Sequence, residues 1–195
     1  WFGGWMAQKG LWREAFFILG GSGLLYALPY WYFLRGVNEE AQVETKKTGT
    51  GLALLDLVRV PTYLLLCVVF PLFVFGLWLL YGWLPSFLHD KFELSLADAA
   101  FNATAYLQGA TLVGMLAGGL LADHLYRVTK ASRLWTLTLS LVLCAPCLYA
   151  LGNSESLMAT RLASAGFGLF SGLFMGNIFP AAFEIVPANT RASAV

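Results

Sequence analysis

The most reactive side chains in this chain are a pair of cysteines and two histidines. Cys144 and Cys147 form a C-x-x-C pattern, which occurs in redox motifs and as half of a zinc site. Neither a second cysteine pair nor a neighbouring histidine completes such a site, and the flanking residues are apolar. We interpret both cysteines as packing residues and predict no metal and no other cofactor.

An enzyme would need a nucleophile, a general base or metal ligands that converge at one depth of the fold. His89 and His124 are far apart in the sequence, and no Asp, Glu or Lys lies in the central part of a long apolar stretch. The sequence therefore predicts that the protein is not an enzyme.

The chain as a whole has the composition of a membrane protein. Of its 195 residues, 58% are hydrophobic and 12% are charged, whereas a soluble domain has about 25% charged residues. So few charges cannot cover a surface that faces water, but they suit a surface that faces lipid. The net charge of +1 argues against nucleic acid as a partner.

Five apolar stretches are long enough to cross a bilayer, which takes about 20 helical residues. Backbone groups in lipid must pair within their own segment, so each stretch is predicted to be an α-helix. They run roughly over Ala15–Leu34, Val60–Leu84, Ala99–Ala122, Leu134–Leu151 and Leu162–Phe183. The predicted fold class is therefore an all-α membrane protein, with a linker at 36–57 that begins with a polar, aperiodic run.

Lys and Arg residues indicate the orientation, because they are more frequent on the cytoplasmic side. The side that holds the linker carries eight of the twelve Lys and Arg residues, and the other side carries four. We therefore predict a multi-pass protein of the bacterial inner membrane, with the linker 36–57 in the cytoplasm.

One apolar stretch ends in a face of small residues that is followed by charges. Gly114, Gly118 and Ala122 are four residues apart, so they share a helix face and let another helix backbone come close. Asp123 follows, and Arg127 lies one turn later, within ion-pair reach if the helix continues. The segment predicts a tightly packed helix with a charge pair at the cytoplasmic surface.

Polar side chains inside the predicted helices are few, and each needs a hydrogen-bond partner. They include Tyr81, Asn102, Thr104, Gln108 and Asn177. Gln108 lies near the middle of its stretch, and Tyr81 lies in a helix interrupted by glycine and proline. These residues could contact a small solute in a central cavity or could bond neighbouring helices to each other, and the sequence leaves both interpretations open.

The residues around Asp123 resemble the cytoplasmic-loop motif of the major facilitator superfamily, in which glycine, leucine, alanine and aspartate precede basic residues. His124 and Tyr126 depart from that motif, as is usual for copies in the second half of such proteins. Two other segments resemble the family's entry to its sixth helix and its loop between the tenth and eleventh helices. They are Gly10-Leu11-Trp12-Arg13 and the set Pro180, Glu184, Pro187 and Arg191.

The resemblance implies a fragment of a twelve-helix bundle that contains about five of its helices, in the C-terminal half. Residues 1–35 would end the N-terminal bundle, 36–57 would be the central linker, and 58–195 would be an incomplete C-terminal bundle. The rest of the N-terminal bundle would belong to the same chain. The resemblance also implies a cytoplasmic gate of Asp123, Arg127, Glu184 and Arg191. The residues expected in the substrate cavity are Tyr81, Gln108, Asn177, Asn102 and Thr104.

The function that the resemblance implies is secondary active transport of a small organic solute by rocking of two helix bundles. The partners would be the solute, the lipid bilayer and a coupling proton or sodium ion. Residues 81–85 and 105–108 look like the organic-anion symporter and spinster-like branches, which makes an organic anion the expected solute. The alternative is a membrane sensor or scaffold on the same fold, which would bind a solute without moving it.

Overall fold

The computed structural model describes residues 2–35 and 57–186 and places most of them in helices. The helices are α1 (Phe2–Gln8), α2 (Trp12–Leu34), α3 (Pro61–Phe92), α4 (Leu96–Tyr126), α5 (Ser132–Asn153) and α6 (Leu157–Ile185). Helices α2 to α6 are long and apolar enough to cross a membrane, which confirms the predicted fold class and number of spans. Nearly all of the linker 36–57 lies outside the described residues, so its cytoplasmic position stays a prediction.

The helices are longer than the apolar stretches, and serine caps set where α4 and α6 begin. α3 has 32 residues and is therefore about 48 Å long, against a hydrocarbon core of about 30 Å. Its first residue is Pro61, which has no N–H to satisfy at that position. α4 and α6 begin at serine caps: Ser95 Oγ accepts from the Asp98 N–H at 3.1 Å, and Ser156 Oγ accepts from the Ala159 N–H at 3.2 Å.

α4 and α6 approach each other through glycine backbones. A Cβ atom on Gly114 would lie 2.0 Å from the carbonyl oxygen of Leu169, and one on Gly168 would lie 2.2 Å from that of Leu107. A Cβ atom on Gly172 would lie 2.2 Å from the carbonyl oxygen of Thr111 in α4. A repeat of small residues every four positions is the usual means of bringing two membrane helices this close. The small-residue face predicted on α4 is therefore confirmed, and the glycine-rich part of α6 is its partner.

The remaining core is built around this pair of helices. α5 packs against α6, and α3 packs against both α4 and α6. Leu107 of α4 and Phe167 of α6 lie at the centre of one apolar cluster, with Leu84 of α3. Cys144 and Cys147 are free thiols in the same cluster, so they pack in the core as expected.

α2 stands apart from this four-helix cluster. Within the described residues it contacts mainly α1, which in turn packs against α4, and none of the residues of α2 is buried. An apolar helix without a buried face needs lipid or further helices around it. This agrees with the prediction that residues 1–35 belong to another bundle, which stays a prediction.

Alanine at Gly114 should destabilise the bundle, because its methyl group would overlap the Leu169 carbonyl and push α4 away from α6. We expect the free energy of unfolding in detergent to fall by about 1–3 kcal/mol or more. Gly109 is the matched control on the same helix, since a Cβ there would meet none of the described atoms within 4 Å. Alanine at Gly109 should be neutral or stabilise the helix by up to about 1 kcal/mol. Equal losses at the two positions would contradict the glycine interface.

Candidate functional site

Arg133, the second residue of α5, joins the ends of α4 and α6. Its Nη2 donates to Asp123 Oδ1 at 2.8 Å, and its Nε donates to Glu184 Oε1 at 2.7 Å. Its Nη1 donates to the side-chain oxygen of Asn177 at 3.2 Å. The rigid fork of one guanidinium thus links three helices, and we call Asp123, Arg133, Asn177 and Glu184 the Arg133 network.

The network is half-open to solvent. The Arg133 side chain is 19% exposed, whereas those of Asp123 and Glu184 are 67% and 40% exposed. Asn177 is fully buried, and its amide nitrogen donates to the carbonyl of Leu173 at 2.9 Å, which leaves its oxygen for Arg133. Ion pairs this exposed contribute about 0–1 kcal/mol each, so the contact holds the helix ends together but can be broken.

Of the four residues expected in the gate, the structure describes three and brings two of them together. Asp123 and Glu184 do come together, through a shared arginine that the sequence interpretation did not identify. The expected pair between Asp123 and Arg127 is not formed, because Asp123 pairs with Arg133 instead. Arg127 is exposed at the end of α4 and makes no ion pair with the described residues. Arg191 lies outside the described residues, so its role stays a prediction.

Arg133 was missed because its position depends on where α4 ends. Residues 127–131 turn the chain back, so the start of α5 lies beside the last turn of α4. A sequence signal existed: an arginine at the start of a helix, one short turn after an aspartate at the end of the preceding helix. This signal identifies Arg133 only when the short connection 127–131 is considered together with the charges of Asp123 and Arg133.

A similar arrangement is found at the other ends of α4 and α6. Arg161, near the start of α6, donates from Nε to Asn102 Oδ1 at 2.7 Å, and its guanidinium lies 5.3 Å from the centre of the Tyr106 ring. Asn102 donates in turn to the carbonyl of Asp98 at 2.8 Å. Each end of the helix pair therefore has an arginine held by a buried asparagine, whose amide nitrogen bonds the carbonyl four residues back.

Three of the five residues expected in the substrate cavity line one cavity of about 230 Å³ between α3 and α4. The lining residues are Tyr81, Leu84, Pro85, Ala103, Thr104 and Gln108. The Gln108 side chain lies near the Tyr81 hydroxyl. None of these six described residues is charged. A second cavity, of about 190 Å³ between α3 and α6, is almost entirely apolar and offers few groups to orient a solute.

Asn102 and Asn177 do not line the cavity of Tyr81, Thr104 and Gln108. Their side chains bond arginines at the two ends of the bundle instead. Of the two interpretations that the sequence left open, the structure gives these asparagines the helix-bonding one. A direct contact of either residue with a solute stays a prediction.

Comparison with known protein families identifies a match that covers the chain. The sequence model described as Major Facilitator Superfamily matches residues 1–195, which include the Arg133 network and the cavity between α3 and α4. No curated protein and no solved structure matches the chain.

Arg133→Gln should destabilise the bundle more than Arg127→Gln does. It removes two ion pairs and leaves the buried oxygen of Asn177 without its charged donor, so we expect a loss of about 1–3 kcal/mol. Arg127→Gln is the matched control and should change the free energy of unfolding by less than about 0.5 kcal/mol. Thermal unfolding in detergent measures both.

Asp123→Asn should lower the free energy of unfolding less when Arg133 is already Gln, because the effects of substitutions at two contacting residues are not additive. Strictly additive losses would contradict the pairing of Asp123 with Arg133.

Proposed function

The chain belongs to the major facilitator superfamily, and on that premise we propose that it forms part of a secondary active transporter. The transporter moves a small organic solute across the membrane by rocking of two helix bundles. Members of this family are transporters rather than enzymes, and the five apolar helices make the protein a multi-pass integral membrane protein. In this proposal residues 58–195 belong to the C-terminal bundle, and residues 1–35 end the N-terminal bundle.

The observation that carries the proposal is the exposure of polar side chains in the middle of α4. Gln108 is the thirteenth of the 31 residues of this helix, which places it about 18 Å from the helix start. Gln108 and Thr104 are exposed on the surface of the helix cluster. Polar groups that face hydrocarbon at that depth are unfavourable. A water-filled path, shared with further helices, explains why this face is polar.

The Arg133 network suits the role of a breakable contact at one mouth of that path. Two exposed ion pairs contribute together up to about 2 kcal/mol, which is enough to shift a two-state equilibrium by about thirtyfold. Asp123 and Glu184 keep their proposed gate roles, with Arg133 as their shared partner. Arg127 is exposed beside them and is available to contact the other bundle, and Arg191 remains part of the proposed gate.

The coupling ion and the expected organic anion rest on the motif resemblance alone. None of the described residues that line the cavity carries a charge. A carboxylate for proton or sodium coupling, or a cation that binds an anionic solute, would therefore come from outside the cavity wall described here. The bacterial inner membrane and a cytoplasmic linker complete the proposal.

A sensor or scaffold on the same fold is the alternative function. Uptake of a metabolite mixture into proteoliposomes that contain the full-length protein separates the two, with mass spectrometry to identify what enters. We expect at least one solute to accumulate above protein-free vesicles. Binding of a solute without uptake would favour the sensor.

Asp123→Asn should slow transport of that solute more than it weakens binding. The substitution weakens one exposed ion pair of the gate, which contributes a fraction of a kcal/mol. We therefore expect turnover to fall about threefold and KM to change less than twofold. Glu155→Gln, an exposed acid in the turn between α5 and α6, is the control and should leave both constants unchanged. Unchanged turnover in Asp123→Asn would remove the gate role from this residue.

A further inference from the structure

The short helix α1 joins residues 2–35 to the four-helix cluster at the first turn of α4. α1 packs against α4, and Met6 in the middle of α1 is buried, at 4% exposed. Gln8, the last residue of α1, places its side-chain amide at the start of α4. In the orientation that satisfies its neighbours, the amide oxygen accepts from the backbone N–H groups of Leu96 and Ala97, at 3.3 Å each. Gln8 therefore caps a helix that is far from it in the sequence.

This cap completes the hydrogen bonding at the start of α4. The first four N–H groups of a helix have no partner within the helix. Ser95 satisfies the third and the fourth: its hydroxyl oxygen accepts from the Asp98 N–H at 3.1 Å, and its carbonyl oxygen accepts from the next N–H at 2.8 Å. The first and the second, on Leu96 and Ala97, are the two that Gln8 bonds.

The contact between Gln8 and α4 can open without unfolding α4. Gln8 and Leu96 are both exposed, so water can reach the two N–H groups when the amide leaves. The start of α4 is also held to α6 independently, because Asn102 accepts from Arg161 at 2.7 Å. Exchanging a protein hydrogen bond for one to water changes the free energy little. α1 can therefore separate from α4 while the four-helix cluster stays intact.

The contact lies on the side of the membrane opposite the linker. α2 ends where the linker begins, so α1 and the start of α2 lie at the far end, and α3 crosses back to that end before α4 begins. In the function proposed above, α1 belongs to one bundle and α4 to the other. We propose that Gln8, Leu96 and Ala97 form an outer latch, which holds the two bundles together while the outer mouth is closed and separates when that mouth opens. This inference rests on the proposed transport function.

The outer latch biases the transporter toward the state that is closed to the outside. Opening the outer mouth breaks both bonds of Gln8, so their contribution favours the closed state only. The Arg133 network lies at the opposite end of α4 and connects helices within one bundle. Removing the Gln8 acceptor should therefore favour the outward-open state and leave the Arg133 network unchanged.

The test measures how often the outer mouth is open, in a cysteine-free background of the full-length protein in its membrane. Gln108→Cys, on the polar face of α4, reports through its reaction with a membrane-impermeant maleimide added from outside. The rate follows the fraction of molecules that are open to that side. Gln8→Met keeps the length of the side chain and removes the acceptor, so we expect labelling about three- to tenfold faster, the loss expected for one hydrogen bond.

A second variant and a matched control separate the latch from a general loss of packing. Gln8→Glu keeps an acceptor oxygen, and a helix start favours negative charge, so labelling should be no faster than with Gln8 unchanged. Asn153→Leu is the control, because Asn153 also ends a helix on the outer side and carries an exposed amide. That amide bonds its own helix, at the carbonyl of Tyr149, 2.9 Å away. The control should change the rate by less than about twofold.

Three results would overturn the inference. They are labelling in Gln8→Met that is no faster than with Gln8 unchanged, an equal increase in Asn153→Leu, and labelling in Gln8→Glu that is as fast as in Gln8→Met. If the unsubstituted protein still takes up a solute from the metabolite mixture, the transport function stands and only the latch is wrong. If it takes up nothing, the transport function and the inference fail together.

Discussion

The backbone contact between α4 and α6 is the interaction on which the rest of the structure depends. Lipid tails are as apolar as leucine side chains, so helices in a membrane gain little from the hydrophobic effect and need close packing and polar contacts. Gly114, Gly168 and Gly172 permit a separation at which no Cβ would fit. The two helices run in the same direction, so their starts meet at Asn102 and Arg161 and their ends meet near Asp123 and Glu184.

Arg161 and Arg133 hold α4 and α6 together at the two ends of the pair, and Arg133 also joins α5 to it. α3 contributes the other wall of the cavity, where polar side chains of α4 remain exposed. The arrangement separates two roles that the fold needs. Buried asparagines and glycines hold α4 to α6, while exposed carboxylates at one end and an uncharged polar cavity nearer the middle are left for function. In a rocking mechanism the first group would move as one body, and the second would change its surroundings.

Much of this architecture could be predicted from the sequence, because its signals are local. The lengths of the apolar stretches predicted the five spans, and the four-residue spacing predicted the small-residue face at Gly114 and Gly118. The order of the motifs indicated the family. The partners of individual side chains could not be predicted in the same way. Asn102 and Gln108 are both amides on one helix, yet one bonds Arg161 and the other faces a cavity. That difference depends on how α4 is rotated against α6 and α3, and Arg133 depends on where α4 stops.

The central claim is that the exposed polar face of α4 lines an aqueous path rather than lipid. The most direct measurement is labelling of single cysteines by a membrane-impermeant maleimide, in a cysteine-free background of the full-length protein in its membrane. The two positions are Gln108→Cys on the polar face and Val113→Cys, an apolar residue exposed on the same helix. The account predicts labelling at 108 that is about tenfold or more faster than at 113, since thiols react as thiolates and need water. Equally slow labelling at both positions would contradict it.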